Sequence, residues 1–126
     1  MKTPTRKPTD GELGILRVLW ANGPSTVRQV VEALGRDTGY TTVLKLLQIM
    51  TEKGLVRRDE RERTHVYESA HSEAQTQRKL VSDLLDRAFG GSAAKLVLQA
   101  LSARTTSPKE LDEIKRFLDK KLGGSR

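Results

Sequence analysis

The chain has 126 residues, 31% charged and 36% hydrophobic, which is enough for one domain or two very small ones. It has no cysteine, which excludes disulfides and thiolate metal sites, and no apolar run long enough to span a membrane. A formal net charge of +7 and an isoelectric point of about 10.0 favour a polyanionic partner, nucleic acid before membrane. Residues 1–69 carry 12 basic and 9 acidic side chains (+3), and residues 70–126 carry 11 and 7 (+4). The charge therefore names a class of partner and locates no patch.

Lys2, Arg6 and Lys7, interrupted by Pro4 and Pro8, make a short basic arm without order of its own. No apolar stretch follows it, so it does not read as a secretory signal, and the expected location is the cytoplasm. Thr9-Asp-Gly-Glu12 is a capping-box pattern that opens a helix. Leu13, Leu16 and Trp20 line one edge of that helix, and Ile15 and Leu19 the other. Asn22-Gly23-Pro24 ends it, and Ser25 or Thr26 caps the next. There Val27, Val30, Val31 and Leu34 form a stripe at helical spacing before Gly35.

A five-residue connection, Gly35 to Gly39, reaches the next helix, in the most informative stretch, Gly39 to Gly54. Val43, Leu46, Leu47 and Met50 fall at i, i+3, i+4 and i+7 and predict a buried back. Thr41, Lys45, Gln48 and Glu52 project from the opposite side, with Thr42 and Ile49 on its flank. Thr41 or Thr42 can cap the start, and Gly54 suits the left-handed position past the end. Hydroxyl, ammonium and amide groups on one face suit a major groove, although an ordinary amphipathic helix with a solvated face reads the same way. Three short helices with tight turns are the plan of a helix-turn-helix unit.

Past Gly54 the pattern changes. Leu55 to Arg58 and Thr64 to Glu68 predict two short strands. The charged tip Asp59-Glu-Arg-Glu-Arg63 between them lacks the glycine of a two-residue hairpin and implies a longer loop. Helices followed by a hairpin give a winged helix. Arg57, Arg58, Arg61 and Arg63 would flank DNA backbone, diluted by Asp59, Glu60 and Glu62, and a solvated loop of alternating sign is the competing reading.

Ser72-Glu-Ala-Gln75 is a second capping box, which places a winged-helix domain at residues 1–72 and a three-helix domain at 73–126. Leu80, Val81, Leu84, Leu85 and Ala88 line the first of these helices, which Gly90-Gly91 breaks. Ala93 to Ala103 follow with Leu96, Val97, Leu98 and Leu101. Ser107-Pro108-Lys-Glu110 then starts a helix carrying Leu111, Ile114, Phe117, Leu118 and Leu122, before Gly123 to Arg126 fray. So short a helical unit seldom closes a core alone, so Leu80, Leu84, Leu85, Leu96, Leu101, Ile114 and Leu118 are expected to meet a second copy of the chain. Packing back onto the first domain is the alternative. A two-fold dimer would present two recognition helices to a pseudo-palindromic site.

On Leu13 to Trp20, Val27 to Leu34, Tyr40-Thr-Thr-Val43, Lys53-Gly-Leu-Val56 and Val66-Tyr67, the chain resembles the penicillinase-repressor family of bacterial winged-helix regulators. That resemblance implies a homodimeric repressor that occludes promoters, with Thr41, Thr42, Lys45 and Gln48 facing the groove of a double-stranded operator and the hairpin on the backbone. It also implies, for antibiotic-responsive members, a membrane sensor protease and a cut at an Asn-Phe bond. The matching place here is Gln99-Ala100, so induction by that cut is not expected. The cysteine hook of the copper-responsive branch is absent too.

An enzyme is not expected. His65 and His71 are the only histidines, and no thiol, glycine-rich phosphate loop, metal set or cofactor motif accompanies them. Trp20 and Tyr67 read as core fillers, and an aromatic fraction of 4% argues against single-strand binding by stacking. The remaining alternative is a winged helix used as a protein-interaction module without specific duplex binding.

Overall fold

Thr9 sets the first helix. Its hydroxyl accepts the Glu12 N–H at 3.3 Å, and Glu12 Oε1 accepts the Thr9 N–H at 2.9 Å, so the capping box closes and α1 runs Asp10–Asn22. The computed structural model describes residues 7–35 and 38–123, so Lys2 and Arg6 of the basic arm, part of the connection before the third helix and the last three residues lie outside them.

Of the two caps open to the second helix, Thr26 is the one used, forming a box with Gln29, and α2 runs Val27–Leu34. Ser25 is buried instead, exchanging backbone bonds of 2.9 and 2.8 Å with Tyr67. The third helix, α3 (Tyr40–Lys53), starts earlier than a threonine cap would allow. Gly39 is its N-cap, and the Gly39 carbonyl accepts the Val43 N–H at 3.1 Å. A cap at Thr41 or Thr42 would forfeit that bond, and both threonines stay in the first turn, exposed. At the other end Gly54 has φ 83° and ψ 16°, the left-handed geometry its position predicts, and its N–H turns back to the Met50 and Thr51 carbonyls.

Strands β1 (Val56–Asp59) and β2 (Val66–Ser69) pair antiparallel with Val56 opposite Ser69 and Asp59 opposite Val66. Both lie slightly later than expected. The Leu55 N–H is spent on the Met50 carbonyl at 2.9 Å, finishing α3, while Thr64 and His65 belong to the loop. Next come α4 (Glu73–Ala88), with the Ser72–Gln75 box closed, α5 (Ala93–Ala103), capped by Ser92, and α6 (Pro108–Gly123), capped by Ser107. The result is mainly α with one small hairpin, a winged helix followed by helices.

The first unit closes on Ile15, Leu16 and Leu19 of α1, Val27 and Val30 of α2, Val43, Leu47 and Met50 of α3, and Leu55, Val56 and Tyr67 around the hairpin. Each large apolar side chain so removed from water contributes about 1.5–3 kcal/mol. Leu46, counted in the α3 stripe, sits at the rim of this core. Trp20 packs on its edge, its indole N–H donating to Ser69 Oγ at 3.0 Å. The buried Glu12 carboxylate also receives both bonds of the Lys53 ammonium, at 2.9 Å each, joining the start of α1 to the last turn of α3. Among the described residues no buried side-chain nitrogen or oxygen lacks a partner.

The chain divides into two compact units between Val81 and Ser82, inside α4. The capping box that motivates a boundary at residues 72–73 marks where that helix begins. In α4, α5 and α6 no residue is buried.

Lys53 is 20% exposed and Glu12 only 2%, so the ammonium can swing into water if its partner goes and the carboxylate cannot. Lys53→Met should therefore cost about 3 kcal/mol, the scale for leaving a buried charge unpaired. Glu12→Gln, which keeps an acceptor for the Thr9 N–H, should cost about 1 kcal/mol. Urea unfolding followed by the fluorescence of Trp20 measures both, and the opposite order would show that the pair is not what fixes this junction.

Candidate nucleic-acid interface

The back of α3 is sealed, with Val43, Leu47 and Met50 at 0% exposure. Its front carries Thr41, Thr42, Lys45, Gln48 and Glu52, all exposed. The side chains of Thr41, Thr42, Lys45 and Gln48 have no hydrogen-bond or ion-pair partner among the described residues. An anchored helix thus offers two hydroxyls, an ammonium and a carboxamide with donors and acceptors unspent. Such groups can meet base edges or phosphates without first breaking an internal contact.

One neighbour of this face was not singled out from the sequence. Tyr40, the first residue of α3, is 48% exposed, and the Arg28 guanidinium of α2 lies 5.9 Å from its ring centroid. The two are twelve residues apart in sequence, and only the packing of α2 on α3 brings them together. The available signal was Tyr40 itself, a large ring beside polar residues at a helix start.

The hairpin is electrically more closed than its arginines suggest. Arg57 Nε reaches Glu68, its cross-strand partner, at 3.4 Å, and Arg57 Nη1 donates to the Ala70 carbonyl at 3.2 Å. Arg58 Nε donates to Glu60 at 2.6 Å. Arg61 donates to Asp59 from its backbone N–H at 3.0 Å and from Nε and Nη2 at 3.0 and 2.6 Å. This Asp59–Arg61 clip folds a tip that has no glycine. Arg63 alone of the four has no ion-pair partner among the described residues. Exposed pairs of this kind are worth about 0–1 kcal/mol, so phosphate can compete for them, but they cancel the field that steers DNA from a distance.

The clip leaves a mark on Asp59. Hydrogen bonds from the Arg61 side chain, then from its backbone N–H, pull the carboxyl from 3.8 down to about 2. Arg58 is held above its ordinary value by hydrogen bonding to Tyr67 and then to Glu60. Tyr67 itself is 1% exposed, part of the core and unavailable for stacking on bases. His65 is exposed and His71 half-buried, and no group of three metal-ligating side chains occurs among the described residues.

The residues expected to pair two chains are exposed or half-buried. Leu84 and Leu118 are 45% and 49% exposed, and Leu80, Leu85, Leu96, Leu101 and Ile114 are half-buried. Leu98, Phe117 and Leu122 are more open still.

A family profile described as "Penicillinase repressor" matches residues 8–120. The chain is 34% identical to "Transcriptional regulator BlaI" of Mycobacterium tuberculosis over 112 residues, 86% of this chain and 80% of that protein. It is 21% identical to "Methicillin resistance regulatory protein MecI" of Mammaliicoccus sciuri over 123 residues, 96% of this chain and 100% of that one. With the "Penicillinase repressor" of Bacillus licheniformis it shares 22% over 113 residues, 88% of each.

Because the carboxyl of Asp59 is depressed, the clip is present above the ordinary carboxylate range and is lost as pH falls through about 2. A carboxyl-carbon NMR titration should place the Asp59 midpoint near that value, and Arg61→Ala should return it towards 3.8. An unchanged midpoint in the variant would mean that the clip does not persist in solution.

Proposed function

We propose, from the premise that this chain belongs to the penicillinase-repressor family, that it represses transcription as a homodimer seated on a pseudo-palindromic operator through the major groove. The family is one of transcriptional repressors and not of enzymes. The observation that carries the finer reading is α3: a back whose Val43, Leu47 and Met50 are fully buried and a front whose Thr41, Thr42, Lys45 and Gln48 spend nothing on the described residues. Base edges are the partners such groups lack. Arg63 supplies phosphate contact from the wing, and Arg57, Arg58 and Arg61 join only by exchanging their carboxylates for DNA.

In this reading residues 1–72 bind DNA and residues 73–126 pair two chains. The support is the absence of any buried residue in α4, α5 and α6, which leaves Leu84, Leu98, Phe117 and Leu118 facing water in a single copy. A second copy of the chain would cover these side chains. A duplex partner implies the cytoplasm, and no described helix is long and apolar enough to cross a membrane. The reading includes no sensor protease, since Gln99-Ala100 stands where antibiotic-responsive members of the family have the Asn-Phe pair that is cut.

Selection of bound duplexes from random DNA should return a two-fold motif with half-sites one helical turn, or a multiple, apart. Recovery of no enriched duplex would end the DNA reading. On the selected site, Lys45→Ala or Gln48→Ala should cost about 1–3 kcal/mol where the side chain reads a base. Arg63→Ala should weaken all sequences alike and shallow the salt slope by about 0.9 per protomer, with a smaller change for Arg61→Ala. Leu84→Asp should sediment as a monomer, and a variant that stays dimeric places the interface elsewhere.

A further inference from the structure

We propose that Tyr40 is a positioning residue, holding the Arg28 guanidinium over its ring so that Arg28 meets a DNA backbone phosphate beside the first turn of α3. This rests on the duplex-binding reading and adds to it a contact from α2. The separation of 5.9 Å between guanidinium and ring centroid is within the range of a cation–π contact.

Three observations favour this over a merely structural pair. Arg28 has no carboxylate partner among the described residues, unlike Arg57, Arg58 and Arg61. It sits in the first turn of α2, where a positive charge opposes the helix dipole and so does nothing for the helix that carries it. Tyr40 is half exposed and its hydroxyl has no partner, so the ring neither fills the core nor ties down a neighbour. What the ring does is restrict the guanidinium. Held beside the ring, the guanidinium keeps its N–H donors unspent on the protein, and two of them can meet two phosphate oxygens.

The placement fits the task. At about 100° per residue Tyr40 lies roughly 80–100° around α3 from Gln48 and Thr41, on the flank where α2 packs. A phosphate held there would fix the register at which Lys45 and Gln48 meet base edges, since backbone contacts position a helix and base contacts specify.

The test is a double-mutant cycle on the selected duplex, read by anisotropy across a salt series with the full-length protein. Arg28→Ala should weaken binding roughly tenfold per protomer and reduce the salt slope by about 0.9. Tyr40→Leu should weaken it about two- to fivefold without altering the slope, because the charge remains. Tyr40→Phe, which keeps the ring, should stay within about twofold of the parent. In the Arg28→Ala background, Tyr40→Leu should cost nothing more. Circular dichroism of each variant confirms an intact fold. Full additivity of the two changes, or a loss on Tyr40→Phe equal to that on Tyr40→Leu, overturns the proposal. Lys45→Ala separates the levels. If it weakens binding while Arg28→Ala does not, this contact alone is wrong. If neither changes affinity, α3 is not the element that reads the selected duplex, and the contact falls with that assignment.

Discussion

The contact between Glu12 and Lys53 is the constraint on which the placement of α3 rests. Hydrophobic burial of Val43, Leu47 and Met50 holds α3 against α1 and α2, but burial is non-directional and tolerates sliding and rotation. A buried carboxylate fixed at the α1 cap, accepting two bonds of 2.9 Å from the last lysine of α3, tolerates neither. Gly54 then turns the chain immediately, so Leu55 and Val56 enter the core and the hairpin starts from a defined point. Buried ion pairs add little net stability relative to an apolar pair of the same size. Their use here is geometric, and the geometry is the angle at which Lys45 and Gln48 leave the surface.

The same residues explain why much of this was legible from the chain. Periodicity located the stripe of α3 because each position in it reports burial separately, and the capping boxes at Thr9 and Ser72 are local patterns that close locally. What could not be read involved groups distant in sequence. Glu12 reads as a capping residue, and nothing in its neighbourhood announces Lys53, 41 residues on. Arg28 and Tyr40 meet only once α2 packs on α3. The caps of α2 and α3 were ambiguous for a related reason. Ser25 or Thr26 could serve equally by type, and the decision is made by β2, which takes the Ser25 backbone for Tyr67. The threonines at 41 and 42 lost the α3 cap to Gly39, and this leaves their hydroxyls on the exposed face.

The charge of the molecule and the charge of its candidate DNA face are separate quantities. A net +7 is spread over both halves, and in the wing Asp59, Glu60 and Glu68 each hold an arginine. A wing of four unpaired arginines would bind any duplex strongly, because phosphate attraction is blind to sequence. Pairing three of them lowers that indiscriminate affinity while keeping the arginines available, since an exposed pair worth about 0–1 kcal/mol exchanges readily for a phosphate once the wing has docked. Thr41, Thr42, Lys45 and Gln48 on α3, the groups proposed to discriminate, have no such partners among the described residues. In the proposed reading, contacts that read sequence are open before encounter and contacts that do not are partly closed, which would widen the gap between specific and non-specific binding.

The second half of the chain bears on the same gap. A single recognition helix reads few base pairs, and each mismatch costs about 1–3 kcal/mol, so one copy cannot discriminate against the excess of wrong sites that a genome offers. Pairing two copies makes the second contact intramolecular and multiplies the discrimination. Helices α4, α5 and α6 bury none of their own side chains, so in this reading the apolar surface they leave open is completed only by association. Stability of the tail and affinity for a two-fold site then become one equilibrium. If the Leu84 and Leu118 faces pair two copies as proposed, a change that loosens them would weaken operator binding without touching α3, and a signal could act there on repression.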